Sequence, residues 1–450
     1  MTAQVGHAMW STFSSRPSRP TALAVAIVLL GLGLRICTAR EVNRSQPDTR
    51  ARLSADEPGY DNLARGLLNG EGLTWPGRVP LYPVWLAGLH TVTGYSYAKA
   101  IYIQAFAGAL AVWLTFVLGR DRFGATAGLL AALGTAVHAG LIRESTRFLS
   151  EILFTPAVIL VAIALCRALD APSVRRFAWA GVWVGLANLV RPTLVGFPLF
   201  AALLIVTMDR SRPALRNAAG LVAASALVVT PWVARNYVKY DAVYPLATSN
   251  AILWQGSPEY FHLVRDQHYT YLEVWNQVIY GPAGEGHDPG SIAGDRYWTR
   301  RALRSIAAEP LLYLRFCAEK AVTYWIGDPA ADWNDTHVFN YRALRHVGHS
   351  RWSAVQHFAW RAFPLIAFAV LPLLGPERRR LTGMVMVLAY CTVLHALTHA
   401  EVRLSEPLHP LLLVITAGVI VRIAATGTSR KLRGQRGVAR KGDGILPPIR

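Results

Sequence analysis

Read only for its hydrophobic and polar positions, the chain is a series of long apolar runs separated by short stretches that often carry arginine. Runs at 21–38, 98–119, 124–141, 148–166, 177–190, 193–208, 217–234, 358–374, 381–398 and 407–425 predict ten membrane-spanning helices. Crossing a hydrocarbon core takes roughly 17–25 such residues. Residues 79–95 contain two prolines and a short apolar core, which predicts a re-entrant or interfacial segment. Residues 311–326, broken by Arg315, Glu319 and Lys320, predict an external interfacial helix. A different pattern fills Leu53 to Gly70, where Tyr60, Leu63, Ala64, Leu67 and Leu68 recur at helical spacing before a stop at Asn69-Gly70. This predicts a short amphipathic helix on a membrane surface, with adjacent acids, Asp56 and Glu57, at its entrance. Ser54 and Glu57 have capping-box spacing, and Pro58 is tolerable in a first turn.

Charge in the short connections orients this pattern, because cytoplasmic loops collect Lys and Arg. With the N-terminus inside, the inner connections carry Arg120 and Arg122; Arg167, Arg175 and Arg176; Arg210, Arg212 and Arg216; and Arg378, Arg379 and Arg380. The short outer connections carry fewer: Arg143 and Arg147, then Arg191, then Arg403. The resulting organisation is a cytoplasmic N-terminus (1–20), a transmembrane module (21–234) whose first external loop (39–97) holds the acids, an external lobe (235–357), C-terminal transmembrane helices (358–425) and a basic, disordered cytoplasmic tail (426–450). The lobe includes a turn-rich loop from Gly281 to Gly290 that reads as mobile.

Composition agrees with a polytopic membrane protein: 53% of 450 residues are hydrophobic, 16% are charged, and mean hydropathy is +0.28. The formal charge of +19 does not point to nucleic acid. Its cations punctuate the gaps between apolar runs instead of interleaving with aromatics on one soluble face. Cys37, Cys166 and Cys391 fall in or beside apolar runs and only Cys317 lies in the outer region, so no disulfide framework is expected.

Five short motifs occur in order: the acidic pair Asp56-Glu57; Arg191-Pro192 at the end of a Gly-rich helix; Pro231-Trp-Val-Ala-Arg-Asn-Tyr237; Thr248-Ser-Asn-Ala-Ile-Leu-Trp-Gln-Gly256; and Glu401-Val-Arg-Leu-Ser-Glu-Pro-Leu-His-Pro410. As an ordered set over roughly residues 20–425 they resemble bacterial GT-C glycosyltransferases related to protein O-mannosyltransferases and the lipid A aminoarabinose transferase. Arg403 is followed by Leu-Ser-Glu where the family usually has Tyr, and the Gly-Gly and Gly-Asn of many relatives are missing near 250–257. The resemblance implies an all-α, GT-C-like bundle with external interfacial helices and a small external lobe. It also implies transfer of a sugar from a polyprenyl-phosphate donor to a lipid, glycan or protein acceptor at the external face of a bacterial inner membrane.

Such chemistry needs a base for the acceptor hydroxyl and cations for the phosphate. Asp56 is the expected base, with Glu57 supporting it, binding the acceptor or holding a divalent metal ion, the one cofactor left open. The competing reading makes both acids helix-start residues. Glu151, inside the apolar run Phe148 to Phe154, needs a partner, and Arg147 four residues earlier would share its helix face. In the family an acid is common at this point. Arg191, Arg235 and Arg403, with Arg147, are the expected phosphate-binding cations, since a guanidinium grips phosphate bidentately. Snorkelling to lipid headgroups is the alternative for each. His395, His399 and His409 lack convincing metal-ligand spacing. The other function classes are a polytopic transporter or lipid flippase and an inactive scaffold, but a transporter should place polar, broken helices at the midplane, whereas these acids gather near one surface.

Overall fold

The structure is a computed structural model describing residues 19–242, 246–248, 251–327 and 351–442. The expectations for residues 1–18, for 328–350 in the lobe and for the end of the tail fall outside the described residues. The chain forms α1 (Arg19–Ser45), α2 (Glu57–Leu68), α3 (Leu81–Thr93), α4 (Tyr97–Phe123), α5 (Ala125–Val137), the short α6 (Ala139–Glu144), α7 (Glu151–Asp170), α8 (Val174–Val190), α9 (Phe197–Met208) and α10 (Arg212–Tyr240). After short helical turns in the lobe come α11 (Ile292–Ala308), α12 (Pro310–Ile326), α13 (Arg351–Val370), α14 (Thr382–Leu397), the short α15 (Val402–Ser405) and α16 (His409–Gly442). Among the described residues there are no strands. All four cysteines are free thiols.

Each of the ten apolar runs is largely helical, but among the described residues seven segments rather than ten are long and apolar enough to cross a membrane, Ala125–Val137 and Pro192–Met208 being shorter. Windows in Arg19–Ser45, Arg212–Tyr240 and Phe358–Glu377 are only 22%, 28% and 22% buried, so these helices form the perimeter. Those in Tyr97–Phe123, Glu151–Asp170, Arg379–Leu397 and Val402–Thr426 are 56% to 67% buried and form the centre. At 13 residues, α3 spans about 20 Å at 1.5 Å per residue, too short to cross. The last helix continues to Gly442, into the stretch for which disorder is expected.

Helix contacts rest on small residues, as they must where lipid is as apolar as leucine and close backbone approach supplies the packing. A Cβ at Gly181 of α8 would lie 2.2 Å from the Leu221 carbonyl oxygen of α10, and one at Gly128 of α5 would lie 2.7 Å from the Phe116 oxygen of α4. At the acidic end, α2 packs on α3 and α4 through Tyr60, Ala64, Tyr82, Leu86, Tyr97 and Ile101. Asp61 locks this layer. Fully buried, its carboxylate accepts from Arg65 at 2.9 Å and Tyr97 at 2.9 Å and meets His90 at 2.8 Å.

The two ends of the bundle differ in charge chemistry. At one end Arg122 pairs with Asp170, Arg167 pairs with Asp121, and Arg122 reaches the Arg380 carbonyl, which gathers three of the arginine-bearing connections assigned to one side by charge bias. Glu151 begins the helix that Asp170 ends, so its site lies about 30 Å away at the opposite end.

Gly181→Ala should lower the thermal stability of the purified protein by an amount typical of overpacking, about 1–3 kcal/mol. Gly33→Ala serves as the control, because a Cβ there meets nothing within 4 Å. Equal melting curves for the two variants would mean that α8 and α10 are not in this close contact.

Candidate active site

A cavity of about 380 Å³ opens at the acidic end. Its lining includes the charged residues Asp56, Arg78, Glu151, Arg191, Glu401 and Arg403 and the apolar residues Val195, Leu246, Ile252 and Leu394. The structure thus brings together four of the residues expected from sequence, Asp56, Glu151, Arg191 and Arg403, from stretches up to 347 positions apart.

Asp56 stands at the N-cap of α2 but makes no side-chain cap hydrogen bond. Ala55 before it has φ of +51°, a left-handed conformation that costs a non-glycine residue energy and turns the chain at this point. The Asp56 carboxylate instead accepts from Arg78 at 3.0 Å through Oδ1 and from Arg403 at 3.1 Å through Oδ2. Its side chain remains 42% exposed toward the cavity. Burial pushes its carboxyl upward, but Arg78 and then Arg403 outweigh that, holding it below the usual carboxylate range.

Arg403 also donates to Glu401 at 2.6 Å, and Glu401 is hydrogen-bonded to His399 at 2.9 Å. Arg78 lies between the rings of Trp75 and Tyr60, 4.9 and 5.0 Å from their centroids, so cation–π contacts fix a guanidinium that already donates to Asp56. Arg191 closes α8 with extended backbone ahead of Pro192, which disfavours helix in the residue before it. Its guanidinium meets Glu151 at 3.0 Å and donates to Ser150 at 3.1 Å. Glu151 begins α7, where the helix dipole favours a carboxylate.

The remaining expected residues sit elsewhere. Glu57 is 5% exposed and points away from the cavity; it accepts from the Ser54 backbone NH and hydroxyl at 2.8 and 3.1 Å and from the Phe148 NH at 2.8 Å. Because the helix starts at Glu57 with Asp56 as its N-cap, these bonds are not the expected capping box; they tie the first loop to the segment before α7. Arg147 lies 3.7 Å from Glu57 rather than pairing with Glu151, because α7 starts only at Glu151 and the two share no helix face. Arg235 donates to the Asn236 side chain and the Leu73 carbonyl and stacks on Trp232, holding the first loop to α10. Sequence reasoning passed over Arg78 and also Tyr271, which lines the cavity from the lobe. Arg78 is one of several arginines in the long first outer loop, and its position alone does not single it out.

Among the described residues there is no group of three or more His, Cys, Asp or Glu side chains that could hold a metal ion. Of the cavity-lining carboxylates, Asp56 is already shared by two guanidiniums. His395 bonds the His399 carbonyl, His399 bonds Glu401, and His409 bonds His138, so the three histidines converge on no common point.

Residues 78–234 match the model of the dolichyl-phosphate-mannose-protein mannosyltransferase family. No curated protein matches the chain in sequence. The fold is similar to that of the archaeal oligosaccharyltransferase AglB from Archaeoglobus fulgidus in complex with an inhibitory peptide and a dolichol-phosphate, with 16% identity and a TM-score of 0.50 over 96% of this chain and 52% of that one. It is also similar to the apo form of the Archaeoglobus fulgidus oligosaccharyltransferase, with 15% identity and a TM-score of 0.51 over 96% and 53% of the two chains. ArnT from Cupriavidus metallidurans in the apo state aligns over 85% of this chain and 78% of its own at 17% identity, with a TM-score of 0.41. The chain spans about half the length of the oligosaccharyltransferases it matches. It is an all-α polytopic protein with the GT-C fold, and across residues 78–234 it carries the pattern of the dolichyl-phosphate-mannose-protein mannosyltransferase family.

Proposed function

We propose that this protein is a membrane glycosyltransferase that moves a sugar from a polyprenyl-phosphate donor to a lipid, glycan or protein acceptor at the external face of a bacterial inner membrane. The observation that carries the reading is the Asp56 carboxylate held between Arg78 and Arg403 in a cavity lined by both charged and apolar side chains. A lipid-linked phosphosugar has the matching halves. Its phosphate suits guanidiniums, and the start of its tail suits the Val195, Leu246 and Leu394 side.

In this mechanism the acceptor hydroxyl attacks the anomeric carbon, its proton passes to Asp56, and the bond to the donor phosphate breaks with the electron pair going to phosphate oxygen. Arg403 and Arg191 meet the charge that develops there. The three cavity-lining arginines face three cavity-lining carboxylates, Asp56, Glu151 and Glu401, so a phosphate must draw an arginine away from its partner. Drawing Arg403 from Asp56 removes one of the two cations that hold this carboxylate low. The base therefore strengthens when the donor is in place. Glu57 and Arg147 support the site by fixing the first loop, and Arg235 by holding that loop to α10.

Asp56→Asn keeps the shape of the acid and cannot take a proton, so transfer of a labelled lipid-linked sugar should fall about 100 to 10,000-fold while donor binding persists. Arg403→Ala should weaken donor binding, and Arg403→Lys should restore part of it by keeping charge without the fork. Near-normal transfer by Asp56→Asn removes it as the base. The acid limb of kcat/KM, which reports the free enzyme, should lie below the usual carboxylate range, because a depressed pKa keeps the base form present to lower pH. Arg78→Gln should move that limb to higher pH; an unmoved limb would show that another group titrates.

Orientation has its own test. A cysteine placed at Gly286 should react with an impermeant reagent in intact cells, and one at Arg436 should not, given the arginine bias of the short loops. The reverse pattern would put the cavity on the cytoplasmic side.

A further inference from the structure

The loop that carries His399, Glu401 and Arg403 has no long helix of its own: α14 ends at Leu397, and only the four residues of α15 follow before the chain re-enters the bundle. Its backbone is gripped from outside by one helix. Tyr313, Lys320 and Tyr324 of α12 are spaced by seven and four residues and so share a helix face. The Tyr313 hydroxyl donates to the Leu397 carbonyl at 2.7 Å, the Lys320 ammonium to the Thr398 carbonyl at 2.8 Å, and the Tyr324 hydroxyl to the Leu404 carbonyl at 3.1 Å. These three bonds bracket the segment from both ends, with Arg403 between them.

Lys320 does a second thing. Its ammonium also donates to the Gly256 carbonyl at 2.8 Å, and Gly256 belongs to the lobe segment whose Ile252, Leu253 and Gln255 line the cavity. Lobe and loop approach so closely here that a Cβ at Gly256 would lie 2.0 Å from the Thr398 oxygen and 2.7 Å from Lys320 Nζ. Lys320 is 4% exposed and, among the described residues, makes no ion pair with a carboxylate. Burial pulls its ammonium down to about 8. A buried cation is costly to keep, and here its two carbonyl bonds are what offset that cost. Leucine or methionine would fill the same space more cheaply if packing alone were needed.

We infer that α12 is a splint for the loop bearing Arg403, and that Lys320 is the positioning residue at which the outer lobe and that loop are joined. For its consequence this rests on the transferase reading: with the joint intact, Arg403 is held in reach of both Asp56 and an incoming phosphate, while the lobe wall stays at a fixed distance across the cavity. Preorganised donors of this kind lower the cost of binding and of charge development.

The test is hydrogen–deuterium exchange on the full chain in lipid nanodiscs, read in peptides covering 252–258 and 396–404, alongside binding of undecaprenyl phosphate. Lys320→Met and Gly256→Ala should each speed exchange in 396–404 about tenfold or more, with peptides of α7 and α8 unchanged; charge-assisted bonds of this kind are worth at least that factor. Lys320→Gln keeps a donor and should fall between wild type and Lys320→Met. Combining Lys320→Met with Gly256→Ala should be no worse than either alone, because both open the same contact. If Lys320→Met does not fold, Tyr313→Phe removes one bond with little change of shape and should speed exchange around Leu397. In the same variants undecaprenyl phosphate should bind about tenfold more weakly, and the donor KM should rise more than kcat falls. Unchanged exchange in Lys320→Met and Gly256→Ala would overturn the splint whether or not the lipid binds, and faster exchange with lipid binding undiminished would overturn its positioning role. Faster exchange in a protein whose wild type binds no polyprenyl phosphate would leave the splint standing and sink the transferase reading alone.

Discussion

The bundle depends at its working end on one carboxylate shared by two guanidiniums. Asp56 begins the first amphipathic helix, Arg78 follows it in the same loop, and Arg403 comes from 347 residues further on, just before the last helix. The pairing closes the two ends of the chain around a cavity. A carboxylate and two cations near the surface of an apolar bundle are stable only as a set, since an unpaired charge there would be driven to neutralise or to leave. Much of the surrounding structure can be read as keeping this set in place. Trp75 and Tyr60 flank Arg78, Glu401 holds the far side of Arg403, and Asp61 with His90, Arg65 and Tyr97 fixes the helix on which Asp56 stands.

The second pair, Glu151 with Arg191, follows the same logic one layer deeper, and it has consequences for binding. A cavity whose cations are each already engaged has little net field to attract an anion. Under the proposed function it would recognise a phosphate by exchange, one carboxylate giving up an arginine as the phosphate takes it. Such exchange costs less than creating a free guanidinium in a dry pocket. It would also couple occupancy of the proposed donor site to the proton affinity of Asp56.

The membrane-embedded architecture was legible because its cause is local: all ten apolar runs are largely helical, although seven segments among the described residues are long enough to cross, and the proline-broken segment 79–95 became a helix too short to do so. The grouping of the arginine-rich short connections was legible as well: the contacts among Arg122, Asp170, Arg167, Asp121 and Arg380 gather three of them at one end of the bundle. Arg191 and Arg403 stood out because they broke that bias. Arg78 breaks it equally, but it lies in a longer loop rich in other charges, where one arginine carries no positional signal. Partners were the illegible part. Four-residue spacing proposed Arg147 for Glu151, yet the chain between them is not helical, and the real partner, Arg191, arrives from another helix. Glu57 and Arg235 matched the expected chemistry by type, and only three-dimensional packing shows them turned toward Phe148 and Leu73.

The central claim, that the Asp56, Arg78 and Arg403 centre receives the phosphate of a lipid-linked donor, is tested most directly by a structure of the protein in nanodiscs with a bound polyprenyl phosphate. The account predicts phosphate density within about 3 Å of the Arg403 guanidinium, with Arg403 drawn from Asp56 and the tail leaving past Val195 and Leu394. Phosphate bound elsewhere on the bundle, with the Asp56–Arg403 pair still closed, would contradict it.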